Sequence, residues 1–218
     1  MSVINSHHQQ DIYARTELEL MHACDLLPSE IARLFAVVGA KLCAPPRTSW
    51  DLFEQARREP PPLQLLPTVA FPARSLVELV GGAGSAKTQC CIQLAVTVAL
   101  PVSHHGRECG VWYIDTERGF TTSRFIEMAT SRVAAGTPPP SMHEVLTRVH
   151  VHELRETEQI MRLLDECEEQ LIEQNVALII IDSVAAPTRK EFEARTVTSI
   201  HARQSMLAKL ASRLKCVR

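Results

Sequence analysis

The sequence has no C-x-x-C pair, no excess of either charge and no long apolar run, and each absence narrows what the chain is. Its seven cysteines (Cys24, Cys43, Cys90, Cys91, Cys109, Cys167, Cys216) are odd in number and scattered. That suits neither a zinc site nor a secreted disulfide framework, and they read as small apolar residues in a reducing compartment. None of the nine histidines forms an H-x-x-x-H pair with a carboxylate placed to join it. His150 and His152, on one face of a short predicted strand, are read as strand residues and not as metal ligands. A formal net charge of −2 excludes a uniformly basic, nucleic-acid-coating surface. The N-terminus has neither the basic n-region nor the apolar h-region of a secretory signal. The longest near-apolar run, Cys90 to Val102, is broken by Gln93 and Thr97 and is too short to span a bilayer. The expectation is a soluble, intracellular protein with no membrane partner.

What is present is an ordinary globular composition, 45% hydrophobic and 22% charged, in a chain of 218 residues. That length suffices for one core, or a core with a small satellite domain. Residues 1–45 read as a small N-terminal helical domain: Leu18, Leu20 and Met21, then Ile31, Leu34, Phe35 and Val38, recur at helical spacing around Leu27-Pro28-Ser29. Residues 46–74 read as a Pro-rich linker with one amphipathic piece at Trp50 to Ala56; seven of the thirteen prolines lie between positions 45 and 74.

From Ser75 apolar strands alternate with helices, with no internal repeat. Strands are expected at Leu76–Val80, Val111–Ile114, Val149–Val151 and Val176–Ile181, and helices at Lys87–Leu100, Thr122–Val133, Thr157–Gln174 and Ile200–Leu214. This alternation predicts the α/β class, a parallel sheet between helix layers.

The chemistry centres on the loop Gly81, Gly82, Ala83, Gly84, Ser85, Ala86, Lys87, Thr88. It follows an expected strand, opens an expected helix and matches G-x-x-x-x-G-K-[ST] except that Ala86 stands where the last glycine belongs. Glycines let the backbone curl so that its N–H groups face phosphate oxygens at the helix N-terminus. Lys87 is then placed to neutralise the terminal phosphates of ATP, and the Thr88 hydroxyl to ligate Mg²⁺. Any positive φ demanded at position 86 would make alanine costly there. The run from Val176 to Ile181 ends in Asp182, about 95 residues beyond the loop, and an aspartate at the C-terminal end of a parallel strand is suited to hold a Mg²⁺-bound water. The intervening strand leads to Glu117, which either orients an attacking water or serves a helix N-terminus. From Arg189 onward there are eight basic residues and two acids, a solvated helix face or a surface that tracks a phosphate backbone through Arg189 and Lys190.

These residues together resemble the eukaryotic RecA-like recombinases and their paralogues. Val80 to Leu94, Leu100-Pro101, Tyr113 to Glu117 and Ile181 to Phe192 fall in that family's order and spacing. Leu18 to Met21, Cys43-Ala-Pro45, Arg148 to Leu154 and Arg189 to Phe192 bring the match nearest its B-type paralogues, over roughly residues 15–215. The resemblance implies a RecA-like P-loop NTPase core over residues 75–218, ATP and Mg²⁺ as ligands, and a nuclear role in homologous-recombination repair. It also implies partnership with other recombinase paralogues and with single-stranded or branched DNA. In its pattern Glu117 is the catalytic carboxylate beside Lys87, Arg124 packs on adenine, and Arg189 lies in a DNA-binding loop. Phe53-Glu-Gln-Ala56 is similar to a subunit-packing motif but sits late in the alignment.

Two departures stand out. Leu66-Pro-Thr runs almost directly into Phe71, where the family has a longer approach to its P-loop strand. The chain also stops at Arg218, before the strand that carries the phosphate sensor and second DNA loop, so the core is expected to be incomplete. Two functions follow: a DNA-stimulated ATPase subunit of a paralogue complex, or a non-catalytic adaptor that docks partners without turning over ATP. A small-molecule kinase is disfavoured, because no arginine-rich lid follows the P-loop helix.

Overall fold

The computed structural model describes residues 17–42, 46–66, 68–133, 138–192 and 197–216. The expected helical residues before Glu17, the side chain of Leu18, and Cys43-Ala-Pro45 lie outside the described residues. The chain divides into two compact units at Glu59 and Pro60. Among the described residues no helix is long and apolar enough to cross a membrane.

The first unit contains α1 (Glu17–Cys24), α2 (Pro28–Leu42) and α3 (Ser49–Arg58). Leu20 of α1 and Ile31 and Val38 of α2 are its buried residues, and the two helices pack together. Pro28 opens α2, where its missing N–H costs nothing, and the Glu30 carboxylate accepts from the Leu27 N–H at 2.8 Å. Thr48 and Asp51 cap α3 reciprocally, each side chain accepting from the other's backbone N–H. No residue of α3 is buried, although Trp50 and Phe53 stack with centroids 5.6 Å apart.

The second unit begins with an antiparallel hairpin, β1 (Leu63–Leu66) and β2 (Val69–Phe71). The Pro-rich stretch is therefore only partly irregular, since it holds both α3 and this hairpin, whose Leu63 reaches the core. There follow α4 (Lys87–Ala99), β3 (Gly110–Asp115), α5 (Thr122–Ser131), α6 (Met142–Thr147), β4 (Val149–Glu153), α7 (Thr157–Asp165), α8 (Glu168–Glu173), β5 (Val176–Asp182), α9 (Ala185–Glu191) and α10 (Val197–Cys216). The sheet runs β4-β3-β5, all parallel, and every residue of β3 is buried.

Side chains alternate across the pleat, so each face of β3 meets its own helix layer. Val111 and Tyr113 pack with Ile92 and Val96 of α4, Phe125 of α5 and Val145 of α6. Ile114 packs with Ile160 and Leu164 of α7 and Leu210 of α10. The expected α/β sandwich is present, and β3 is its axis.

Two expectations are corrected. Leu76–Val80 is not a strand; Leu76, Val77 and Val80 are exposed and only Leu79 turns to the core. An apolar extended segment becomes a strand only by sharing ladder bonds, and among the described residues no strand lies beside it, nor beside the outer edge of β5. The helix expected over Thr157–Gln174 is two helices, α7 and α8, broken at Glu166 and Cys167. There Cys167 stays buried and its thiol donates to the Leu164 carbonyl, within a run of acids whose mutual repulsion opposes a continuous helix.

Candidate functional site

Parallel topology carries the C-terminal ends of β3 and β5 to the same edge of the sheet, beside the N-terminus of α4. Everything the loop from Gly81 to Thr88 needs in order to curl is visible in its backbone. Gly84 has φ +76° and Ala86 has φ +64°, ψ +20°. Ala86 is the N-cap of α4 and offers no side-chain cap, so the α4 N–H groups are left to face outward. The left-handed conformation costs a residue with a Cβ roughly 1–2 kcal/mol, and this is the position where the motif has glycine. The Lys87 ammonium donates to the carbonyls of Gly81 at 2.9 Å and Gly82 at 2.8 Å, which fixes its charge over the loop. Ser85 Oγ donates to the Gly82 carbonyl at 2.9 Å.

Thr88, Asp182 and Gly119 meet at one point. A Cβ built on Gly119 would lie 3.6 Å from Thr88 Oγ1 and 3.9 Å from Asp182 Oδ2. The missing side chain leaves a cradle between a hydroxyl and a carboxylate, an all-oxygen donor pair of the kind Mg²⁺ takes while keeping several waters. The residues therefore fit the ion that the motif implies. Thr88 and Asp182, expected from the sequence as its ligands, are brought together.

Asp115 is nearly fully buried and organises the turn after β3. Its carboxylate accepts from the N–H groups of Glu117 at 3.2 Å, Gly119 at 3.0 Å and Phe120 at 2.9 Å. Three backbone donors on one buried carboxylate make a rigid turn, and that turn presents both the Gly119 cradle and Glu117. Thr116 Oγ1 donates to the Ser183 carbonyl and accepts from the Ser183 N–H, each at 2.8 Å. Ser183 Oγ in turn donates to Glu117 Oε1 at 2.5 Å. The exit loops of β3 and β5 are thereby tied together, and Glu117 stands on the same side as Asp182.

Burial, and then the charge of Asp182, push the Tyr113 phenol well above its ordinary range; the phenol donates to Asp182 Oδ2 at 2.9 Å. Burial chiefly, with Asp182 and Cys90 adding, pushes the Cys91 thiol up to about 12. A thiol so raised is no nucleophile at neutral pH. Among the described residues there is no cluster of His, Cys, Asp and Glu of the sort that holds zinc.

Arg124 lies at the flank of the loop, where its Nε donates to Gln89 Oε1 at 2.7 Å and its Nη1 pairs with Glu127 at 2.7 Å. Both partners hold the guanidinium by its nitrogens, and the side chain stays 41% exposed. Arg189 and Lys190 are exposed at the end of α9. They are not part of the phosphate loop, but α9 starts directly after Ser183. Sequence reading did not single out Asp115, Gly119, Thr116, Tyr113 or Ser183 as site residues. The signal that was available is the placing of a hydroxyl residue directly after the strand-end acid in both Asp115-Thr116 and Asp182-Ser183.

Residues 64–218 match the Rad51 family. The chain is 34% identical over 225 aligned positions to a mouse protein named DNA repair protein RAD51 homolog 2, covering 98% of this chain and 63% of that one. It is 31% identical to the human protein of the same name, covering 96% of this chain and 58% of that one. A thale-cress protein, DNA repair protein RAD51 homolog 1, is 36% identical over 141 positions. The chain thus spans about three-fifths of the length of the mouse and human relatives.

Proposed function

The chain belongs to the Rad51 family, and from that membership we propose that it is a nuclear, ATP- and Mg²⁺-binding subunit of a recombinase-paralogue complex. In this reading it is an ATPase stimulated by single-stranded or branched DNA, and it acts in homologous-recombination repair. The observation that carries the proposal is the convergence of Thr88 Oγ1 and Asp182 Oδ2 on the Gly119 cradle, next to the Lys87 loop.

Each residue has a role that follows from its place. The loop N–H groups and the α4 N-terminus bind phosphate oxygens, and Lys87 exchanges the Gly81 and Gly82 carbonyls for the terminal phosphates. Thr88 and Asp182 would hold Mg²⁺, which when bound supplies charge neutralisation of the phosphates. Glu117, on its Asp115-braced turn, orients a water for in-line attack and takes up its proton. Arg124 lays its guanidinium face on the adenine ring, and Arg189 with Lys190 contacts the DNA phosphates.

A non-catalytic adaptor is the second reading, and one observation favours it: Ala86 holds a strained φ inside the phosphate loop. Affinity for Mg²⁺-ATP and its turnover, with and without single-stranded DNA, decide between them, with Lys87→Ala as the control. The ATPase reading expects binding that Lys87→Ala weakens by about tenfold or more, the worth of one charge-assisted contact, and turnover that DNA raises. Binding equal in parent and Lys87→Ala would defeat the phosphate-loop assignment. Lys87-dependent binding without turnover would establish the adaptor.

A further inference from the structure

Ser183 joins Glu117 to α9. Its Oγ donates to Glu117 Oε1 at 2.5 Å and accepts from the Ala186 N–H, in the first turn of α9, at 3.3 Å. Its backbone cannot drift, because Thr116 Oγ1 grips both its N–H and its carbonyl.

The far end of α9 has its own attachment. Pro187 and Thr188 are buried, and the Glu191 carboxylate at its last residue accepts from the Thr157 N–H of α7 at 2.7 Å. Between these two attachments Arg189 and Lys190 stand exposed; among the described residues the Arg189 Nε bonds within its own helix, to the Ala185 carbonyl at 3.2 Å.

A short hydroxyl-to-carboxylate bond occupies an acceptor oxygen that general-base work requires. The carboxylate that accepts this 2.5 Å hydrogen bond is aimed at Ser183 and away from the phosphate loop's mouth only as long as the bond holds. We propose that Ser183 is a positioning residue that restrains Glu117, and that a polyanion bound at Arg189 and Lys190 shifts α9 and frees it. The ligand chemistry is a phosphodiester backbone, whose phosphates exposed cations such as these bind without reading a base. The inference rests on the ATPase reading for its catalytic consequence, and on the geometry alone for the coupling. The restraint is reciprocal, so release of Glu117 also loosens the N-terminal turn of α9.

The test uses the full chain, Ser183→Ala, and Ser183→Thr as the variant that keeps the hydroxyl. Amide hydrogen exchange across Glu117 to Phe120 is followed with and without an oligodeoxythymidylate. In the parent and in Ser183→Thr, the oligonucleotide is expected to raise exchange in this turn. In Ser183→Ala exchange is already raised and the oligonucleotide adds nothing. ATP turnover without DNA rises about tenfold in Ser183→Ala, the worth of one charge-assisted hydrogen bond, and further stimulation by DNA is lost. A turn that is silent in the parent, or responds equally in Ser183→Ala, overturns the proposal. A parent with no turnover whose turn still responds through Ser183 sinks the ATPase reading and keeps the coupling. DNA stimulation undiminished in Ser183→Ala sinks the coupling and keeps the ATPase.

Discussion

The Tyr113 phenol and the Asp182 carboxylate share a 2.9 Å hydrogen bond across the β3–β5 pair, with Tyr113 the donor. The strand-end acid is thus aimed by a side chain that is itself part of the buried core. Tyr113→Phe is expected to cost about 1 kcal/mol of stability at neutral pH. The sign with pH follows from the raised folded value: the unfolded phenol ionises near 10.0 while the folded one resists. The stability it contributes is full below that pH and is lost as pH rises beyond it. Denaturant titrations should show the parent's advantage over Tyr113→Phe shrinking above about pH 10; a constant gap would mean that the phenol is not held neutral.

Ala86→Gly should stabilise the chain, because φ +64° strains a Cβ. Relief of about 1–2 kcal/mol, less the extra unfolded-state entropy of glycine, leaves a gain of about 0.5–1 kcal/mol. The thermal midpoint reads it, and ATP affinity should rise with it. A glycine variant that binds ATP more weakly would show a loop adapted to alanine.

Gly119→Val should fill the cradle between Thr88 and Asp182 while leaving the fold intact, since the nearest atom to the added Cβ is Thr88 Cγ2 at 3.4 Å, an ordinary contact. The expected result is loss of the Mg²⁺-dependent part of nucleotide binding with little change in melting temperature. Mg²⁺ titrations of ATP affinity that superimpose for parent and variant would place the ion elsewhere.

His152 stacks on Trp112 with centroids 4.7 Å apart, and its Nε2 is buried without a partner. Burial first, then neighbouring His150, holds its pKa below the ordinary 6.5. The unfolded chain therefore takes up this proton first, and stability falls as pH drops through the ordinary histidine range. His152→Phe keeps the stack and should flatten the stability profile between about pH 7 and pH 5. An acid limb identical to the parent's would mean that His152 protonates in place.

How much of this was legible in the sequence divides along a physical line. Lys87, Thr88 and Asp182 are announced by local grammar: a turn that needs glycine, a helix start, an apolar run closed by an acid. The Asp115 nest, the Tyr113–Asp182 bond and the Ser183–Glu117 bond depend on Asp115 lying opposite Asp182 in the parallel register, and register is set by the whole sheet. Leu76–Val80 shows the converse. Its apolar residues suit a strand, but pairing belongs to two segments at once, and one segment cannot report it. Ala86 is a third case, since the motif mismatch pointed to φ > 0 and the backbone has it.

Among the described residues, β5 pairs on one flank only, through β3. Along the other flank, alternate amides from Val176 to Asp182 point where no ladder answers them. The strand that ends in Asp182 is therefore anchored like a plank nailed along one side, and the stiffness of its terminal carboxylate depends on what lies along the other. Whatever strand lies along that flank would sharpen the placement of Asp182 without touching it.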